Sequence, residues 1–292
     1  MEKDILIYHA FTEKVFKGNP AGVVLEAQDL SVEKMQKIAK ELGFSETVFI
    51  YGDRLPLKVR FFTPKEEVDL CGHATIAYVT GLIEKEIWKV EEGLNRKEVE
   101  INIGVLPILI YKKEESLDIM MYQGSPKIER IEDIEILKER ICESLNISTK
   151  DLLSEIEIVK AYTGLWDLMI GVKSREILNS IIGDMEKIKE ISKELDIISF
   201  HIFALEDCKV YARNMAPIVD IPEEAATGTS NGALSYYLYT IGKLKVDDVL
   251  EVIQGEALDR ESKILGKIII EGEPKVLVGG RAVKFIEGKI KI

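Results

Sequence analysis

The segment CGHAT at 71–75 places a thiol, a glycine and an imidazole in three consecutive positions, Cys71, Gly72 and His73. Histidine titrates near neutral pH, so His73 can trade protons or hold a partly negative group. A lone histidine is more often structural than catalytic. This one follows a glycine where a strand gives way to an alanine-containing helix, which puts its N–H among the unpaired amides of a helix start. Glu46, in GFSETVFI at 43–50, begins an apolar strand. Read locally, it is first a solvated edge residue. Read chemically, it is a general acid/base whose pKa is raised by partial burial against Phe44, Val48 and Phe49. In PEEAATGTSNG at 222–232, Glu223 and Glu224 can cap the helix that follows, since acids favour its N-terminus. The short residues Ala226, Thr227, Gly228, Thr229 and Ser230 let a backbone come close to a ligand. Asn19, in the tight loop KGNPAG at 17–22, can bond a substrate or only its own turn.

Two of these segments are copies of one pattern. Residues 60–77 read RFFTPKEEVDLCGHATIA and residues 213–234 read RNMAPIVDIPEEAATGTSNGAL. Each runs arginine, two residues, Thr or Ala, proline, then acidic residues, and turns through Gly72 or Gly228 into a helix. The copies start 153 residues apart (213 − 60) in a chain of 292, far longer than one unit of a solenoid. A duplicated domain is expected, with the two glycines facing each other across a cleft. A helix start on each side of such a cleft suits an anion.

The elements that must position these residues follow from periodicity. Strands are expected at 4–11 and 21–25, with a helix at 31–42 whose Val32, Met35, Ile38, Ala39 and Leu42 share a face between the cap Ser31 and the stop Gly43. Strands at 45–50 and 56–62 precede a helix through 74–83. Further strands are expected near 98–103, 105–111 and 117–122. The second half repeats this with helices near 133–145 and 184–195, strands near 157–161, 167–172, 199–205 and 208–213, and a helix to about Ile241. This grammar gives α+β with mixed sheets, not a regular parallel βαβ series. The seam is placed around 112–130, giving domains at 1–118, with the strand near 280–292 as a candidate to complete the first, and 119–292.

Composition narrows the partners. The net charge of −12 argues against nucleic acid and against an anionic membrane surface. A small anionic substrate is still open, because local fields decide that. Three scattered cysteines, Cys71, Cys142 and Cys208, read as a reduced, cytoplasmic set without a disulfide framework. No stretch has the length of a membrane span or the pattern of a signal peptide. HExxH, CxxC, GxGxxG, GxxxxGK[ST] and GxSxG are all absent, so metal and nucleotide sites of those kinds are not expected.

Taken together, FTEKVFKGNPAGVV, GFSETVF, RFFTPKEEVDLCGHAT, TGLWDLMIGV, RNMAPIVDIPEEAATGTSNGAL, QGEALDRESKI and VGGRAVKFIEGKI resemble the phenazine-biosynthesis PhzF-like family, in order and over nearly the whole chain. The resemblance implies the diaminopimelate-epimerase-like fold: two similar domains related by a pseudo-twofold axis, each a mixed sheet wrapped around a central helix, with the active site between them. It implies a cofactor-independent isomerase, with no metal, acting on a small carboxylate-bearing substrate, and a homodimer is a further expectation. Carried over, Glu46 is the acid/base, His73 the cleft histidine, Asn19 the first-loop asparagine, and Gly228–Thr229 the second-half turn. Gly72 and Gly228 would bind the substrate with Asn19 and Thr229. Glu224–Ala225 stands where the family has Asp–Pro, so Glu224 takes the place of that aspartate on a longer arm. Cys71 has only Thr227 as its counterpart, which disfavours a two-thiol racemase and leaves Cys71 as a small buried residue behind its turn. Two rival readings are a racemase or epimerase using Cys71 with a non-thiol partner, and a non-catalytic carboxylate-binding protein.

Overall fold

The computed structural model describes residues 2–52, 55–206 and 209–292, so Cys208 lies outside the described residues. The chain forms two compact units, Met1–Met121 with Gly279–Ile292, and Tyr122–Val278.

In the first unit the strand Glu2–Ala10 pairs antiparallel with Ala282–Lys291 on one side and Asn19–Val24 on the other. Asn19–Val24 runs parallel to Glu46–Tyr51, which is antiparallel to Leu57–Phe62. Leu57–Phe62 meets Gly93–Ile101 in parallel, and that strand continues antiparallel into Gly104–Lys113 and Ser116–Tyr122. The sheet is therefore mixed, and with the helices the class is α+β. Its inner helix is Gly72–Glu84, where every residue from His73 to Leu82 is buried. A helix apolar all round must be enclosed, and this one is. The other face of the sheet is covered by Val32–Leu42, whose Met35 and Ala39 pack with Ile5, Val24, Phe49 and Phe62. Ser31 caps that helix by accepting from the Lys34 N–H, and Gly43 ends it in the left-handed region at φ 69°. Cover on both faces explains why Thr47–Ile50 are all buried instead of alternating.

The second unit repeats the plan. Val159–Tyr162 pairs antiparallel with Lys127–Arg130 and with Trp166–Val172. Trp166–Val172 runs parallel to Ser199–Glu206, and Lys209–Ala216 runs parallel to Val249–Gln254. Its inner helix is Gly228–Thr240, and its outer face carries Ile134–Leu145, Arg175–Ser180 and Met185–Leu195 around a core of Leu137, Ile141, Leu168, Ile188 and Phe200. The six-residue helix Arg175–Ser180 is not expected from periodicity, because it is too short to show one; the Ser174 hydroxyl starts it by accepting from the Ile177 N–H.

Register relates the two units position by position. Ala21 faces Glu46 as Asp167 faces Ser199, and Val48 faces Phe61 as His201 faces Asn214. The repeated arginines hold forked ion pairs, Arg60 with Glu67 and Arg213 with Glu223. Each inner helix is 13 residues long and starts after a polar residue that makes no side-chain cap, Cys71 and Thr227. Among the described residues no helix is long and apolar enough to cross a membrane.

Candidate functional site

Three elements of the first unit bring Asn19, Glu46, Cys71 and His73 together. Glu46 is the first residue of its strand, and Asn19 starts the parallel neighbour, so both lie at the same end of the sheet. Cys71 precedes the inner helix and His73 is its second residue. His73 Nε2 lies 3.0 Å from Glu46 Oε2, with side-chain exposures of 9% and 18%. The approach is within ion-pair distance, but it is not aligned as a hydrogen bond. Nδ1 of the same ring lies 3.2 Å from Cys71 Sγ and 3.4 Å from Asn19 Nδ2. Ser45 Oγ is 3.3 Å from His73 Nε2 and donates to Asn19 Oδ1 at 3.5 Å.

The charges of this cluster correct one expectation. Burial raises the Glu46 carboxyl, but the His73 partner, aided by Ser45 and Cys71, outweighs it and holds the pKa below its ordinary 4.5. The apolar strand supplies the desolvation that was expected; the cation beside it reverses the sign. Burial also works against the His73 imidazolium, yet Cys71 and Glu46 raise its pKa well above 6.5. Burial raises the Cys71 thiol, and His73 only partly offsets this. The cluster therefore pairs the Glu46 carboxylate with the His73 imidazolium, beside the Cys71 sulfur. Cys71 is half-buried as a residue, and its sulfur faces His73.

Gly72 begins the inner helix with no positive φ, and a Cβ built on it would meet nothing nearer than the Met121 methyl at 3.9 Å. Neither backbone nor packing demands glycine there. The first amides of the helix lack partners within it.

In the second unit Glu224 does not cap the helix. Its Oε2 accepts from Thr227 Oγ1 at 2.9 Å, and Glu223 is taken by Arg213. Neither acid lies in the helix's first turn. Gln254 holds the turn by donating to the Glu224 carbonyl at 2.8 Å and to Thr227 Oγ1 at 3.1 Å. The Thr163 hydroxyl donates to the Thr229 carbonyl at 2.8 Å. Behind the turn lies a buried polar network. Ser199 donates to Asp167, and Asn214 reaches Ser199, His201 and Ser230. His201 and Asn231 join at 3.3 Å, and Asn231 donates to Gln254 at 2.7 Å. Sequence reasoning singled out Asn19, Glu46, Gly72, His73, Glu224, Gly228 and Thr229 but not Ser45, Thr163 or Gln254. Ser45 adjoins Glu46, and Gln254 opens QGEALDRESKI, so adjacency to a marked motif was the only available signal.

A cavity of about 760 Å³ in the first unit, lined by Leu25, Ile50, Tyr51, Leu57, Leu82 and Ile87, lies at the opposite end of the Glu46–Tyr51 strand. It brings no paired acid and base together among the described residues, so volume alone does not mark the chemistry.

The model of the phenazine biosynthesis-like family, PhzC-PhzF, matches residues 8–288. The chain belongs to this family. An uncharacterized isomerase of Clostridium acetobutylicum is 34% identical to this PhzF-family chain, over 96% of the chain and 95% of the relative. The trans-2,3-dihydro-3-hydroxyanthranilate isomerase of Pseudomonas chlororaphis is 27% identical, over 98% of each. The crystal structure of a PhzF-family phenazine biosynthesis protein from Bacillus anthracis matches with a TM-score of 0.88 at 28% identity, over all of both chains. These relatives place the PhzF-family chain among isomerases.

Proposed function

We propose that this isomerase moves a proton between two carbons of a small, unsaturated, carboxylate-bearing compound, with Glu46 as the proton carrier. The observation that carries the reading is the Glu46–His73 approach of 3.0 Å at a partly exposed strand end. His73 keeps Glu46 ionised, which is the form a base must have before substrate arrives. Glu46 takes the proton from a carbon made acidic by adjacent unsaturation and returns it to another carbon of the same conjugated system. Atoms and electrons balance within one molecule, so the step calls for no co-reactant and no cofactor. The His73 imidazolium faces the charge that develops as the proton leaves. The substrate carboxylate rests on the amides at Gly72–His73, with Asn19 beside them.

A second reading uses Cys71 as one base of a racemase. The Cys71–His73 contact of 3.2 Å favours it, and Thr227 at the matching position of the other unit opposes it. One experiment separates the two. Trans-2,3-dihydro-3-hydroxyanthranilate and related cyclic unsaturated carboxylates are incubated with the enzyme in D2O, alongside Glu46→Gln and Cys71→Ser. The isomerase reading expects a product shifted in double-bond position with part of the original proton retained, a loss on the order of a hundredfold or more in Glu46→Gln, and near-normal turnover in Cys71→Ser. Turnover that survives Glu46→Gln but vanishes in folded Cys71→Ser overturns it.

A further inference from the structure

Glu46, Cys71 and His73 do more than form an acid/base pair with a bystander thiol. Each offers a ligand atom of a different kind, and the three atoms lie within 4.8 Å of one another. We propose that these residues form a binding site for a soft divalent cation of the zinc class. The inference uses no substrate and stands apart from the isomerase reading.

The geometry is close to what the ion needs. Zinc binds imidazole nitrogen at roughly 2.0–2.1 Å, carboxylate oxygen at roughly 2.0–2.2 Å and sulfur at about 2.3 Å in a tetrahedron, which sets neighbouring ligand atoms roughly 3.3–3.7 Å apart. Here Nε2 and Oε2 are 3.0 Å apart, and Sγ and Nε2 are 3.9 Å apart. Sγ lies nearer Nδ1, at 3.2 Å, so the Cys71 side chain must turn about its χ1 to share an ion held by Nε2 and Oε2. Sulfur and nitrogen donors select zinc-like ions over magnesium or calcium, which take oxygen. Three protein ligands leave a fourth position for water. On binding, the Cys71 thiol and the His73 ring each release a proton to solvent, and the cation takes the place of the proton that lies between His73 and Glu46. No electron moves. The chain's net charge of −12 favours the approach of cations. Among the described residues this is the only such group of three, and Cys142 is buried in the second unit's core at 3% exposure.

The test uses the full chain after treatment with a chelator. Cobalt(II) is added as a spectroscopic probe, and zinc is then titrated in competition with a chromophoric chelator. The expected result is one equivalent bound, a thiolate-to-cobalt charge-transfer band that zinc displaces, and no competition from magnesium. Cys71→Ser abolishes the band. Cys71→Ser, His73→Asn and Glu46→Gln each weaken zinc by more than the roughly tenfold to hundredfold that loss of a ligand's hydrogen-bond partner costs. A circular-dichroism melt checks that each variant is folded, and the band in the unsubstituted chain needs no variant at all. Absence of that band, or a band that persists in Cys71→Ser, overturns the proposal. Because every readout is metal binding, a failed isomerase assay leaves the metal site standing, and a chain that binds no metal leaves the isomerase reading standing.

Discussion

A carboxyl group buried alone takes up a proton; Glu46 keeps its charge because His73 supplies the opposite one at 3.0 Å. Replacing His73 by asparagine leaves the desolvation and removes the cation. The Glu46 pKa is therefore expected to rise from below 4.5 to above it, read by carbon-detected NMR of the labelled carboxyl. A titration that stays in place would mean that Ser45 and Cys71, not the imidazolium, set the charge. Gly72 makes a second expectation possible. Open space at its missing Cβ means that Gly72→Ala should change stability by less than about 1 kcal/mol, while the added methyl obstructs a carboxylate approaching the turn. The expected result is an unchanged thermal midpoint with a raised KM. A lowered midpoint with normal KM would assign the glycine to folding. Glu46 and His73 could be picked out from GFSET and CGHAT. The sign of the Glu46 shift could not, because its cause lies 27 residues away (73 − 46) on another element.

The elements show where the repeat was kept and where it diverged. The helix Val32–Leu42 was legible down to Ser31 and Gly43, since cap, apolar stripe and stop are all local signals. The polar interior of the second unit was not. Asp167, Ser199, His201 and Asn214 stand where the first unit has Ala21, Glu46, Val48 and Phe61, and each reads singly as a polar residue in an apolar strand. Burial pushes Asp167 up from 3.8 to about 7 and His201 down from 6.5 to about 4. The signs oppose. Between pH 3.8 and 7 folding takes up a proton at Asp167, so stability from this group rises as pH falls. Between 6.5 and 4 the unfolded chain takes up a proton that folded His201 refuses, so stability from that group falls as pH falls. Over their shared range the two nearly cancel. Asp167→Asn, which keeps an acceptor for Ser199, removes one of them. Urea midpoints should then rise for the variant at pH 8, where the charged aspartate is a cost, and drop steeply toward pH 4, where His201 acts unopposed. Parallel curves for variant and parent would refute the balance.

At the scale of the whole molecule, the family and the α+β class were readable because several motifs keep their order through the chain. The strand near 280–292 was a candidate to complete the first domain, though no local pattern says which strand it will join. The strand Ala282–Lys291 pairs with Glu2–Ala10 from Glu2 opposite Lys291 to Ala10 opposite Ala282, with one register shift between Ile7 and Tyr8 that passes over Phe285. It belongs to the first unit, and Arg281 just before it donates to Asp118 and Glu13 there. That placement has a consequence during synthesis on the ribosome. Translation delivers segments in order, and N-terminal domains commonly fold first. Here the residues of the second unit, 122–278, have all been made before the strand that closes the first. The N-terminal half must wait, with one side of Glu2–Ala10 unpaired, while the later half becomes able to fold. Chains stalled after residue 278, with a linker long enough to clear the exit tunnel, should resist pulsed protease over the second unit and be cut within the first. Protection of residues 2–121 in such chains would show that the closing strand is an addition to a unit already formed.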